Sequence, residues 1–180
     1  MYKKIFLFTL VFLMSVLEAR SKDMFAQEKA VNLRYNKTIR AFMSESQRMT
    51  DLVHKSYAHV VFPSIGKGGV ILGYAHGEGR AYIRGGIWTG NVSVSQYSIG
   101  LQVGGQAYSQ IIFFKTREAF EEFKKGGLED STQAALVPFI SGVSGSVNFA
   151  DDVEVYTSNT GGLMLDASTG TQVFEYIQRN

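Results

Sequence analysis

Cysteine is absent from this 180-residue chain, which excludes disulfides, thiolate metal sites and a lipoprotein-type anchor. Only two prolines, Pro63 and Pro138, stand against 19 glycines, a balance that favours tight turns and close backbone approach in a β-rich fold. Histidine occurs three times, at His54, His59 and His76, and none has a second histidine or a carboxylate at a standard metal spacing. No Gly-x-Ser-x-Gly elbow occurs. Gly66-Lys67-Gly68-Gly69 lacks both the Walker spacing and the following Ser or Thr. Asp151-Asp152 with Glu154 lacks the calcium-loop pattern and reads as a turn before a strand. These gaps give a profile for binding rather than turnover: no enzyme, no metal, no cofactor.

What is present fits one globular domain. Apolar residues make up 45% and charged residues 19%, as in folded proteins rather than disordered ones. Residues 1–21 read as a cleavable export signal. Lys3-Lys4 form a basic start, Ile5 to Leu17 an apolar run, and Ala19-Arg20-Ser21 a small-residue cleavage site. The run is shorter than the ~20 residues a spanning helix needs. A periplasmic or secreted protein, at most peripheral to a membrane, is the expectation.

Beyond the leader, residues 22–56 read as helix. Val31, Tyr35, Ile39, Phe42, Ser46, Met49 and Val53 recur at steps of three and four and share one face. Ser44 with Gln47 forms a capping box that splits the segment in two. Residues 57–180 read as the β-rich body. Tyr57–Ile65, Gly69–Ala75, Gly79–Arg84, Val92–Tyr97 and Ala107–Lys115 are β-prone runs bounded by glycine. Gly77-Glu78-Gly79 reads as a hairpin turn. Thr116 caps a short helix anchored by Phe120 and Phe123. A polar loop then leads to strands at Val143–Phe149, Val153–Thr157, Leu163–Asp166 and Gln172–Ile177. Gly68 to Gly73 and Gly161 to Asp166 share a Gly-Gly-apolar pattern that suggests two similar hairpins. The fold class expected is α+β: a predominantly antiparallel sheet, barrel- or sandwich-like, with an N-terminal amphipathic helix and a short internal one.

Charge is uneven along the chain. Removing residues 1–21 leaves 15 basic and 15 acidic groups, and Glu78 is the only acid between Asp51 and Glu118. Arg80 and Arg84, four apart on one strand, should share a face. Lys67 in its glycine setting offers a compact charge beside backbone N–H groups. With Lys37 and Arg40 on the helix, these five cations form the candidate lipid-binding set. Nucleic acid is excluded for want of a strongly basic domain.

From Ala58 to Phe123 the chain resembles the SYLF domain family. The likeness rests on an ordered series: His59-Val60-Val61-Phe62-Pro63-Ser64, Lys67-Gly68-Gly69, Gly77-Glu78-Gly79 and Ser98-Ile99-Gly100-Leu101-Gln102-Val103-Gly104-Gly105-Gln106. Tyr108-Ser109-Gln110-Ile111-Ile112-Phe113-Phe114 and Ala119-Phe120-Glu121-Glu122-Phe123 continue it, and Phe139 to Ile177 is similar to the family's second half. The resemblance implies a phospholipid-binding module that acts without catalysis on anionic membranes. No SH3 domain accompanies it, so phosphoinositide specificity and actin binding are not carried over. The competing expectation is an envelope structural module that binds an envelope protein or self-associates as a homo-oligomer.

Overall fold

The computed structural model describes residues 2–125, 135–140, 147–150 and 152–179. Two compact units form, Met1–Asn36 and Lys37–Asn180, the boundary lying inside the helical segment 22–56 that was expected to form one globular unit with 57–180. The first unit is helical throughout, as part of α1 (Tyr2–Glu45), which passes the expected cleavage region without a break. Leu13, Met14, Val16, Leu17, Met24 and Phe25 are exposed along it. Among the described residues no helix is long and apolar enough to cross a membrane.

In the second unit α1 ends at Glu45 and α2 (Gln47–Lys55) begins. The expected split is there, but its cap is Ser46 and not Ser44. The Ser46 hydroxyl accepts from Met49 N at 3.2 Å, whereas Ser44 Oγ donates back to Ala41 O. Phe42 and Met49 are buried, so this part of the apolar face is covered within the protein's own fold.

The described residues of the body form an α+β arrangement of six antiparallel strands in an open, sandwich-like sheet, ordered β1-β2-β3-β6-β4 with β5 also on β6. The strands are β1 (Ala58–Gly69), β2 (Leu72–Ile83), β3 (Ile87–Phe114), β4 (Ala135–Ile140), β5 (Val147–Ala150) and β6 (Val153–Gln178). Helix α3 (Arg117–Lys125) follows β3, and Thr116 Oγ1 caps it by accepting from Ala119 N.

The strands are fewer and longer than the sequence suggested. β3 pairs with β2 through Ile87–Ile99 and with β1 through Gly104–Phe114. Because β1 and β2 are antiparallel to each other and β3 is antiparallel to both, β3 reverses around the β1–β2 turn at the Gly100–Gly104 stretch, where Gly100 N donates to Ile71 O, and its two halves flank the hairpin. Gly100 and Gly104 have φ of 149° and 120°, angles that side-chain-bearing residues rarely adopt. β6 follows β3 from Gly90↔Gln178 to Phe114↔Val153. Gly161-Gly162 therefore lies inside a continuous strand, and the suggested second hairpin does not form. β4 was missed in what was read as a polar loop, and residues 143–146 of an expected strand lie outside the described residues.

Gly77-Glu78-Gly79 is likewise no turn; it sits in the middle of β2. The chain reverses instead at Val70-Ile71 and at Arg84-Gly85-Gly86. The glycines serve close approach. A Cβ on Gly79 would lie 2.6 Å from the Phe62 ring, and one on Gly77 2.7 Å from Ile65 Cγ1. Phe62 and Ile65 belong to the inner core with Val60, Val94, Ile112 and Phe174. α3 stoppers one end of that core: Phe120 lies 5.4 Å from Phe114 and Phe123 5.6 Å from Phe174, ring to ring.

The Gly79→Ala protein is expected to lose about 1–3 kcal/mol, the usual cost of overpacking, read as a lower urea midpoint. Gly66→Ala is the control. Its Cβ meets nothing within 4 Å, and its stability is expected to stay within about 0.5 kcal/mol of the parent.

Candidate functional site

The five candidate cations do not converge. Lys37 and Arg40 are exposed on the last turns of α1. Lys67 is no exposed turn residue: it lies in β1, turned inward and 5% exposed. Arg80 is 8% exposed with its guanidinium 3.9 Å from the Trp88 ring centroid, and Arg179 stacks on the same ring at 4.3 Å. Arg84 lies past the end of β2, so it does not share a strand face with Arg80. Its Nη2 donates to Lys55 O at 2.6 Å, holding the end of α2. At ~3.3 Å per residue the Lys67 and Arg84 levels are about 30 Å apart. No shared cationic surface forms from these residues.

The exposed surface feature of the sheet is apolar. Val70, Ile71 and Leu72 form the β1–β2 reversal, with Ile71 63% and Leu72 71% exposed. Register extends the patch across two strands: Leu72 opposes Ile99, Tyr74 opposes Tyr97 and His76 opposes Ser95. Ile99, Tyr74 and Tyr97 are exposed too, and the two tyrosine rings lie 5.5 Å apart. Behind them His76 Nε2 meets Glu78 Oε1 at 3.2 Å and His76 Nδ1 meets Ser95 Oγ at 3.4 Å. In three steps of ~7 Å the surface passes from aliphatic to amphipathic aromatic to polar. The sequence reading placed Gly69–Ala75 in a short β-prone run bounded by glycine, without marking its start as exposed. Three large apolar residues directly after Gly68-Gly69 were the signal for an apolar tip.

On the inner face of the curled sheet, the end nearer the tip is polar. Gln96, Gln110 and Gln172 are fully or almost fully buried. Gln110 and Gln172 exchange reciprocal amide hydrogen bonds of 3.1 and 3.0 Å. Gln96 Oε1 accepts from Tyr108 OH at 2.8 Å and from Gln172 Nε2 at 3.1 Å. Gln96, two residues after Val94 and four after Val92 on β3, keeps the core phase, a signal the sequence reading passed over.

An open cleft of about 590 Å³ lies between α2 and the strand ends, lined by Arg48, Asp51, Leu52, Lys55, Lys115 and Glu154. Its charges are mutually engaged. Glu154, buried, takes Arg48 Nη2 at 2.8 Å, Lys115 Nζ at 3.0 Å and Tyr156 OH at 2.6 Å. Burial opposes its ionisation, but the hydrogen bonds from Tyr156, Arg48 and Lys115 outweigh it and lower its pKa to about 2. The cleft is a clasp for α2. His59 stacks on Tyr82 at 5.5 Å, and burial lowers its pKa to about 4. Among the described residues no group of three His, Asp or Glu side chains is placed to hold a metal. Asp152 is in a turn, with its carbonyl accepting from Lys115 N; Asp151 lies outside the described residues.

Both shifts make acid destabilising. His59 is depressed from 6.5, so the unfolded chain takes up its proton first and stability falls from pH 6.5 toward 4. Glu154 is depressed from 4.5, and its contribution is lost from pH 4.5 toward 2. Urea unfolding of His59→Phe is expected to show a flatter pH dependence between 6.5 and 4, and Glu154→Gln between 4.5 and 2. A slope unchanged in either variant would contradict the corresponding assignment.

Set against protein-family models, curated proteins and solved structures, the chain matches none.

Proposed function

We propose that this is an exported, non-enzymatic phospholipid-binding protein that docks on membranes by inserting the β1–β2 tip. The observation that carries the reading is the gradient along β2 and β3: Leu72 and Ile99, then Tyr74 and Tyr97, then His76 and Ser95. A bilayer interface has the same order, hydrocarbon, amphipathic boundary and polar headgroups, and tyrosine favours its middle zone. The turn is held to β3 by Gly100 N donating to Ile71 O, while the Val70, Ile71 and Leu72 side chains stay exposed. The resemblance of Ala58–Phe123 to SYLF domains supports the same ligand class, and the leader-like residues 1–21 support export.

Magnitudes favour a reversible docking. Burying one Ile or Leu side chain contributes about 1.5–3 kcal/mol, so two or three give an affinity comparable with one acyl anchor, roughly 10⁴ M⁻¹. Lys37 and Arg40 add about 1 kcal/mol each near an anionic surface. Lys67 and Arg80 are buried and drop out of the electrostatic share; Arg84 is exposed but held at the Lys55 carbonyl, far from the tip along the strands.

Sedimentation of the full chain with vesicles tests this. Ile71→Ser with Leu72→Ser is expected to weaken binding to neutral and anionic vesicles alike by roughly a hundredfold. Lys37→Glu with Arg40→Glu is expected to weaken only the anionic, salt-sensitive part. Vesicle binding indifferent to the tip substitutions would sink the reading. So would a stable oligomer without vesicle affinity, which would assign the tip to a second copy of the chain.

A further inference from the structure

We infer that the outer face just behind the apolar tip reads a lipid headgroup by its cationic end, with the rings of Tyr74 and Tyr97 holding the trimethylammonium of a choline headgroup. The inference rests on docking through the tip and adds to it the identity of the headgroup. Along β2, Leu72, Tyr74, His76 and Glu78 are exposed while Gly73, Ala75 and Gly77 are buried. The exposed four form rows with β3: Leu72 with Ile99, Tyr74 with Tyr97, His76 with Ser95 and Glu78 with Ser93. With the tip in hydrocarbon, the tyrosine pair lies one step of ~7 Å further out and His76 two, at the depth of the headgroups.

The Tyr74 and Tyr97 rings are 5.5 Å apart with their planes inclined at 54°, and the residues are 48% and 59% exposed. On the side away from the tip, the His76 ring lies parallel to Tyr74 within 6° at 6.4 Å. A cation binds over a ring within about 6 Å of its centroid, so this exposed aromatic group needs no enclosing cavity. The polar atoms beside the rings are engaged with one another. Tyr74 OH and His76 Nδ1 each lie 3.4 Å from Ser95 Oγ, and His76 Nε2 lies 3.2 Å from Glu78 Oε1. The surface left to a ligand is therefore aromatic more than hydrogen-bonding. A primary ammonium brings three N–H donors that call for acceptors. A trimethylammonium brings none, and aromatic faces suit it.

The charge of this face has the complementary sign. The row of Glu78 and Ser93 continues to Glu175 on β6, and both glutamates are exposed. Among the described residues, the rows from Leu72 to Glu78 carry no Lys or Arg on this face of β2, β3 and β6. Arg80, the next residue on this side of β2, is buried against Trp88, and Lys67 belongs to the inner face. Behind the tip a phosphate meets carboxylates of its own sign, whereas a choline cation meets two tyrosine rings in a negative field.

The test is sedimentation of the full chain with vesicles of phosphatidylcholine and of digalactosyldiacylglycerol, which carries the same acyl chains and no net charge but lacks an ammonium. Phosphatidylcholine is expected to bind about tenfold more tightly, the contribution of two exposed ring–cation contacts. Tyr74→Leu with Tyr97→Leu keeps the apolar surface and removes the rings. This protein is expected to lose the preference while binding the galactolipid as the parent does. Tyr74→Phe with Tyr97→Phe keeps the rings and is expected to retain the preference, which separates ring faces from hydroxyl hydrogen bonds. Equal binding of the two lipids, or a preference that survives the leucine substitutions, overturns the inference and leaves docking by the tip standing. Tighter binding of the galactolipid also overturns it and assigns the tyrosines to a sugar ring. Absence of binding to either vesicle overturns the tip reading and the headgroup inference together, so the two failures give different results.

Discussion

Strand β3 keeps β6 on one side but cannot keep one neighbour on the other. Its 28 residues from Ile87 to Phe114 begin against β2 and finish against β1, and β1 and β2 are themselves a hairpin. The two halves of β3 therefore flank the hairpin, and the sheet curls so that they meet on the inner face, where Tyr108 OH donates to Gln96 Oε1. The cost falls on backbone conformation at Gly100 and Gly104 and on steric room at Gly77 and Gly79. The return is an enclosed core in which Phe62 and Ile65 reach across β2 without meeting side chains.

The interior of the curled sheet has two chemically different ends. At one, α3 inserts Phe120 and Phe123 among Phe114, Phe174 and Tyr176, and the packing is aromatic. At the other, glutamine amides, a tyrosine hydroxyl and Lys67 take the inward positions. Polar groups in such a place specify geometry when they are satisfied and carry a penalty when they are not. The Gln110–Gln172 pair is satisfied; Gln96 is satisfied on one atom only. The outer face of the same sheet is held to α2 by Glu154, whose carboxylate gathers groups from α2, from Lys115 and from β6 itself.

The tip and the polar end of the interior are neighbours along the strands, yet they call for different chemistry. Val70, Ile71 and Leu72 have given up burial within the fold, an arrangement that has value where apolar surface meets something other than water. The proposed docking rests on that exposure. The cations first considered for the task are mostly occupied: Arg80 with Trp88, Arg84 with the Lys55 carbonyl, Lys67 in the interior. Lys37 and Arg40 alone of the five are exposed on a helix surface.

Local rules made part of this legible. Thr116 before an amphipathic turn with Phe120 and Phe123 specified α3, because capping and a 3.6-residue period act within a few residues. Alternating β-branched and aromatic runs specified an antiparallel α+β protein for the same reason. The break after α1 was also visible, though displaced from Ser44 to Ser46, since either serine can serve as a cap. The placement of glycine was different. Gly77 and Gly79 look like a turn by themselves, and only the approach of Phe62 and Ile65 from β1 makes them strand residues. The fate of the cations also lay beyond the sequence. Lys67 is inward because its register with Ala75 and Gln96 places it there, and Arg80 is covered because β3 returns with Trp88. By itself the sequence determined what depends on neighbours in the chain: helix ends, strand propensity and the absence of thiol chemistry. Tertiary structure alone decided which glycines admit side chains, which cations meet solvent and which amides face inward, because those depend on strand register.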